Sequence, residues 1–187
     1  LASPSILKRF FAPMAWFNVD PLSTEGADEI PYAVEDFNLD YTEVDSGVPV
    51  GFWHSVGSSF NAFFIESAID ESAHLAGQDP LLYRMKLLNG KTRFQKVLNK
   101  VAEESQWGRE LPKGHGLGIC LHKTRGSIAG AVIEVSTGVK GMLKLHKAWI
   151  SIDCGKIINP NTIRAQMEGG FTFGLSATLG EQITLKD

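Results

Sequence analysis

The spacing of apolar and polar positions changes period near the middle of the chain. Phe60, Phe64 and Ala68, with Phe63 and Ile69 beside them, recur at helical spacing, while Glu66, Asp70, Glu71 and His74 fall on the other side. This predicts a helix capped by Ser58 or Ser59, packed through its aromatic stripe and closed by Gly77. Asp79-Pro80 predicts a second helix with proline at its first position, running through Leu81, Leu82, Met85 and Leu88 to Asn89-Gly90. Thr92 opens a third, whose Phe94, Val97, Leu98 and Val101 have the spacing of a surface helix, and Trp107-Gly108 ends it. The period then falls to two. Residues 116–122, 127–136 and 142–152 read as strands, the last two joined by a hairpin loop over 137–141. A turn at Asn159-Pro160, a further helix and a strand over 181–185 complete the order. Helices first, then a hairpin, then helix and strand predicts an α+β fold rather than an alternating parallel one.

The first fifty residues have little periodicity. Lys8-Arg9-Phe10-Phe11 reads as a short buried helix end or strand, residues 34–44 alternate weakly and suggest a strand, and Pro49 keeps its predecessor extended. The expected organisation is an irregular segment, 1–50, packing on a domain over 51–187. The absence of an initiating methionine, and a last strand without a following partner, suggest an excised piece of a larger domain.

Composition narrows the function classes. The 187 residues are 43% hydrophobic and 21% charged, enough for one good core, and the formal charge of −3 gives no reason to expect nucleic acid. No apolar run reaches the length of a membrane span. Cys120 and Cys154 lie in apolar strand-like runs and read as small buried hydrophobes, with no iron–sulfur ligand spacing. His54, His74, His115, His122 and His146 form no metal-ligand pattern.

Two stretches carry candidate chemistry. In the helix within residues 150–174, Gln166, Gly169, Gly170, Phe173 and Gly174 fall on one face. Each mid-helix glycine costs about 0.5–1 kcal/mol relative to alanine, so that face implies close approach by another helix or by a ligand. Gln166 offers two donors and an acceptor to a neutral or oxo-type group. Upstream, Trp53, His54, Ser55, Val56 and Gly57 precede a helix N-terminus, where free N–H groups suit either an N-cap or an anionic or polar cofactor edge. Asp153 reads as a turn or capping acceptor. Neither it, Glu168 nor mid-strand Glu134 has a partner in the sequence that would tune it as a general base.

Together these stretches resemble a known family. VPVGFWHSVGSSFNAFFIESAIDESAHLAGQDPLLYRMKLL resembles the opening of the second molybdenum-cofactor domain of molybdenum hydroxylases, and IDCGKIINPNTIRAQMEGGFTFGLSATLGEQITLKD a second signature of the same proteins. The pattern is most similar to the large (beta) subunits of isoquinoline 1-oxidoreductase and related bacterial aldehyde dehydrogenases, and more distantly to xanthine dehydrogenase and aldehyde oxidase. The likeness runs in order along nearly the whole chain.

The resemblance implies a molybdenum–pyranopterin cofactor, in some members a cytosine dinucleotide, whose metal is held by dithiolene sulfurs rather than by protein. It implies that Gln166 contacts the cofactor and that Gly169 and Gly170 let the helix approach it. Trp53 to Gly57 match a loop lining the cofactor and substrate pocket, with His54, Ser55 and Gly57 toward the cofactor and Trp53 and Val56 on the substrate side. His54 stands where the family usually has arginine. The implied reaction oxidises an aldehyde or N-heterocycle with water as oxygen source, passing electrons to a small 2Fe-2S iron–sulfur subunit. The family's base glutamate lies in a G-V-G-E motif absent from these residues, so the stretch alone is expected to be inactive. Two other readings stay open: a non-catalytic interaction or assembly module that kept the fold, and an unrelated α+β ligand-binding domain whose glycine face is helix packing.

Overall fold

A computed structural model describes residues 20–45, 47–49, 51, 53–138 and 141–184. The chain divides into two compact units after Asp153. The first holds helices α1 (Pro21–Thr24), α2 (Ser58–Leu75), α3 (Pro80–Leu87) and α4 (Thr92–Ser105), then strands β1 (His115–Thr124), β2 (Ser127–Thr137) and β3 (Leu143–Asp153). The second, Cys154–Asp187, holds α5 (Pro160–Leu179). Helices followed by an antiparallel sheet make the chain α+β, as its periodicity predicts.

Local signals set most boundaries. Asp79 caps α3 by accepting from the Leu81 and Leu82 amides at 2.9 and 3.0 Å, with Pro80 at the first position. Helix α4 stops where Gln106 turns left-handed at φ 53°. Arg125 and Gly126, both at positive φ, make the two-residue turn between β1 and β2. The sheet order is β1-β2-β3, with a bulge opposite Glu134 and Val135 that leaves His146 as the extra residue of β3.

The core lies between α4 and one face of this sheet. Val97, Leu98 and Val101 are buried against Ile119, Leu121, Ile128 and Val132. Gly130 permits the approach, because a Cβ there would sit 3.1 Å from Val97 Cγ1. Cys120 has the opposite parity to Ile119 and Leu121, so it projects from the other face and is exposed, not buried as expected; Cys154 is half-buried.

Helix α2 departs most from its predicted orientation. Phe60, Phe63 and Phe64 are 45%, 67% and 59% exposed, while Asn61, Glu66, Ile69 and Ala73 are buried. The buried face is polar because its polar groups find partners. Asn61 Nδ2 donates to the Ser23 and Glu25 carbonyls at 2.8 and 3.0 Å. The Glu66 carboxylate accepts from Arg84 Nε at 3.0 Å, Tyr32 Oη at 2.7 Å and the Leu121 amide at 2.9 Å. Arg84, fully buried, also donates to Asp70 at 2.5 Å and to the Pro80 and Glu66 carbonyls. Burial pushes the Glu66 carboxyl above its ordinary pKa against the pull of Arg84, and the same burial, with the Glu66 charge, raises the Tyr32 phenol.

Three further expectations change. The N-cap of α2 is Gly57, with no side-chain cap bond, so Ser58 and Ser59 lie inside the helix. Residues 34–44 form no strand, their backbone making no ladder. Nor do 181–184, whereas Leu185 and the 8–11 run lie outside the described residues.

Arg84→Ala leaves Glu66 buried without its cation and is expected to cost about 3–5 kcal/mol in urea unfolding. Phe63→Ser, on the exposed face, is expected to change stability by less than about 0.5 kcal/mol.

Candidate functional site

The loop before α2 is held by backbone contacts. The Val56 amide donates to Trp53 O at 3.0 Å, and Val56 sits at φ 39°, an unfavourable conformation for a β-branched residue. Gly57 N–H donates to Leu22 O at 2.8 Å, and a Cβ at Gly57 would lie 2.5 Å from that oxygen and 2.7 Å from Ser23 O. Glycine is therefore dictated here by contact with α1, independently of any ligand. Trp53, His54 and Ser55 are exposed and Val56 is half-buried. Ser55 Oγ lies 2.5 Å from Ser59 Oγ.

Three first-turn amides of α2, those of Ser59, Phe60 and Asn61, are not free for an anion. Ser59 N–H points to Val56 O, and the Phe60 and Asn61 amides point to Gly57 O at 3.2 and 2.9 Å. What the loop does carry beside it is a pair of buried polar atoms without hydrogen-bond partners among the described residues, Ser58 Oγ and His122 Nε2. Both flank Gly26, where a Cβ would stand 3.2 Å from each of them. Burial holds the His122 imidazole below its ordinary pKa, with Glu25 working the other way. This cluster joins residues far apart in sequence, and no motif announces it.

The second half of the expected site is α5. Asn159 caps it by accepting from the Asn161 and Thr162 amides at 3.0 and 3.3 Å, with Pro160 at the first position. Ile163, Met167, Phe171 and Leu175 are half-buried, at intervals of four. Gln166, Gly169, Gly170, Phe173 and Gly174 are exposed on a neighbouring strip. A Cβ added at Gly169, Gly170 or Gly174 would meet no atom of the described residues within 4 Å.

The carboxylates have structural tasks. Arg93 holds Asp153 through two bonds of 2.8 and 2.9 Å, so Asp153 is an ion-pair partner at the end of β3. Glu134 is clamped between His115 Nδ1 and Arg109, each at 2.7 Å, which holds its pKa below the usual value. The structure thus groups Trp53, His54, Ser55, Val56 and Gly57 in the first unit, and Gln166, Gly169 and Gly170 on one strip of the second.

The sequence profile of the molybdopterin cofactor-binding domain matches residues 94–187, and the chain belongs to that family. Among characterised proteins it is similar to the beta chain of isoquinoline 1-oxidoreductase from Brevundimonas diminuta, at 29% identity over 98% of this chain and 24% of that protein. It is also similar to a membrane-bound aldehyde dehydrogenase (pyrroloquinoline-quinone) of Gluconacetobacter polyoxogenes, at 29% identity over 70% of this chain and 20% of that one. A nicotinate dehydrogenase subunit of Pseudomonas putida matches at 26% over 84% of this chain and 15% of its own length. The chain spans a quarter or less of these relatives. No solved structure matches it. No helix among the described residues is long and apolar enough to cross a membrane.

The glycines separate by substitution. Gly57→Ala drives a Cβ into backbone carbonyls and is expected to destabilise by about 1–3 kcal/mol in urea unfolding. Gly169→Ala, in open space on a helix, is expected to stabilise α5 by about 0.5–1 kcal/mol, read by circular dichroism.

His122 gives a pH test. Its folded pKa is depressed, so the unfolded chain binds the proton more readily. The stability contributed by neutral His122 is complete above the unfolded value of about 6.5 and is lost as pH falls from there through the folded value. Urea midpoints should fall between pH 7 and 5, and His122→Gln should flatten that slope.

Proposed function

We propose that this chain is part of the catalytic subunit of a molybdenum-dependent hydroxylase or dehydrogenase, and that α5 forms one wall of its cofactor site. In this reading residues 51–187 are a partial molybdopterin-binding domain and residues 1–50 an adjoining segment. The observation that carries it is the α5 strip. Glycines at three positions stand open, beside a carboxamide, inside the stretch matched by the cofactor-binding family. The residues fit the group: Gly169 and Gly170 present bare backbone that a Cβ would fill, and Gln166 offers both donors and an acceptor to a pterin edge or an oxo ligand.

Bound there, the pyranopterin supplies two-electron redox chemistry at a metal held by its own dithiolene sulfurs. The chain's part is positioning. Gln166 is neutral and moves no proton; it orients the cofactor by hydrogen bonds. His54, Ser55 and Gly57 form the loop edge toward the cofactor, while Trp53 and Val56 border the substrate. In this reading the pyranopterin carries a cytosine dinucleotide extension. The substrate class is an aldehyde or a ring carbon next to nitrogen, since the relatives' names include an aldehyde, isoquinoline and nicotinate. Relatives named as one subunit of several support a partner subunit, which in this reading is a small 2Fe-2S protein that accepts the electrons. The base glutamate belongs to sequence outside this stretch, so these 187 residues alone are inactive. The competing reading, a non-catalytic assembly module, draws on His54 in the arginine position.

The test uses the complete subunit co-expressed with its iron–sulfur partner. Metal analysis and fluorescent pterin assay should give molybdenum and pterin, and no pyrroloquinoline quinone. Gln166→Leu should lower molybdenum occupancy several-fold with the thermal midpoint unchanged, and Gly170→Leu should abolish it. The 187-residue chain should show no dye-linked oxidation of aldehyde, isoquinoline or nicotinate. Full molybdenum retention in both variants would overturn the α5 assignment, whereas a metal-free complete subunit would favour the assembly module.

A further inference from the structure

Arginine is an unfavourable choice at the second position of α4. The helix begins at Thr92 after Lys91, which supplies no side-chain cap, so two cations stand at the positive end of the helix dipole. Helix formation therefore does not account for Arg93, whereas its contacts do. Nε donates to Asp153 Oδ2 at 2.8 Å and Nη2 to Asp153 Oδ1 at 2.9 Å, with a further bond from Nη2 to Gly126 O at 3.3 Å. One planar group thus joins the first turn of α4, the turn between β1 and β2, and the last residue of β3. Asp153 pairs with Ile128 in the final rung of the ladder, where strands fray unless something holds them. It is also the last residue of the first unit. Residues 154–159 follow, with Gly155 at φ 74°, and Asn159 then caps α5. This joint is short, and side chains fix both ends: Arg93 holds Asp153, and Asn159 accepts from the first amides of α5.

We propose that Arg93 is a positioning residue for the cofactor site: by clasping Asp153 it fixes the point and direction from which the chain enters α5. This rests on the reading of α5 as one wall of that site. Arg93 touches no reacting group in this role; it acts through Asp153. The competing explanation is plain stabilisation, and the setting of the pair speaks against it. The side chains of Arg93 and Asp153 are 53% and 33% exposed, and ion pairs open to solvent add little to overall stability. Losing Arg93 also relieves the unfavourable dipole interaction, which offsets part of the lost pair. What the fork supplies is geometry. Two parallel N–H···O bonds fix the carboxylate in orientation as well as distance, which a lysine ammonium cannot do. Gln166 lies about 9 Å along α5 from Pro160, so a tilt of about 10° at the joint moves it by about 1.6 Å, more than a hydrogen bond tolerates.

The test uses the complete subunit co-expressed with its iron–sulfur partner, unsubstituted and as Arg93→Ala, Asp153→Asn and the double variant. Each single variant should lower molybdenum and pterin content several-fold. The double variant should lose no more than Asp153→Asn alone, because the two residues act as one. The thermal midpoint should move by less than about 2 °C. Hydrogen exchange is read on subunit produced without molybdate. In Arg93→Ala it should speed up on the order of tenfold at the amides of 154–159 and stay unchanged across 97–132. Unchanged molybdenum in Arg93→Ala, unchanged exchange at 154–159 or additive losses in the double variant would each overturn the proposal. So would a lower thermal midpoint with faster exchange throughout the first unit, which is what a merely structural pair would give. Gln166→Leu and Gly170→Leu leave the clasp in place and separate the two ways of failing. Full molybdenum in both identifies the α5 reading as what failed, and the proposal falls with it. Molybdenum lost in both but retained in Arg93→Ala means that the clasp alone has failed.

Discussion

A single buried carboxylate ties the first unit together. Glu66 links α2 to α3 through Arg84, to β1 through the Leu121 amide and to the segment after α1 through Tyr32. Removing a carboxylate from water is tolerable only where donors replace the water, and here a guanidinium, a phenol and an amide do so together. Arg84 has the matching need, met by Glu66, Asp70 and two carbonyls. These obligations fix which face of α2 turns inward. With Asn61 satisfying carbonyls of the α1 region from the same face, the aromatic face of α2 is left outside.

This explains what the sequence conveyed and what it did not. Helices α3 and α4, the three strands and the start of α5 were legible because their signals are local: Asp79-Pro80, Asn159-Pro160 and clean changes of period. The facing of α2 was not, because the partners that bury Glu66 lie 18, 34 and 55 residues away. An apolar count ranks Phe60 and Phe64 above glutamate and cannot see that the glutamate is fully bonded. Cys120 failed for a related reason: a continuous apolar run does not say which alternate residues face the helix.

The site was legible in part. The glycine and glutamine strip of α5 followed from spacing alone, because helical geometry is local. Gly57 was picked out for a ligand, yet the atoms that exclude a side chain there are carbonyls of Leu22 and Ser23. The cluster of Gly26, Ser58 and His122 had no signature, since nothing in the sequence brings those positions together.

The contrast between the two kinds of glycine bears on the proposed role of α5. At Gly57 and Gly130 the missing Cβ is accounted for by an atom that would otherwise collide. At Gly169, Gly170 and Gly174 no described atom needs the space, so the helix bears a cost of about 0.5–1 kcal/mol per position with no compensation among the described residues. Its back-bonded threonines, Thr172 to Glu168 O and Thr178 to Gly174 O, are satisfied within the helix and ask for no partner. What remains unexplained internally is one strip of bare backbone with a carboxamide beside it. A group that packs closer than a Cβ allows, and that can accept and donate hydrogen bonds, removes the discrepancy. In the function proposed above, that group is the cofactor of the family to which residues 94–187 belong.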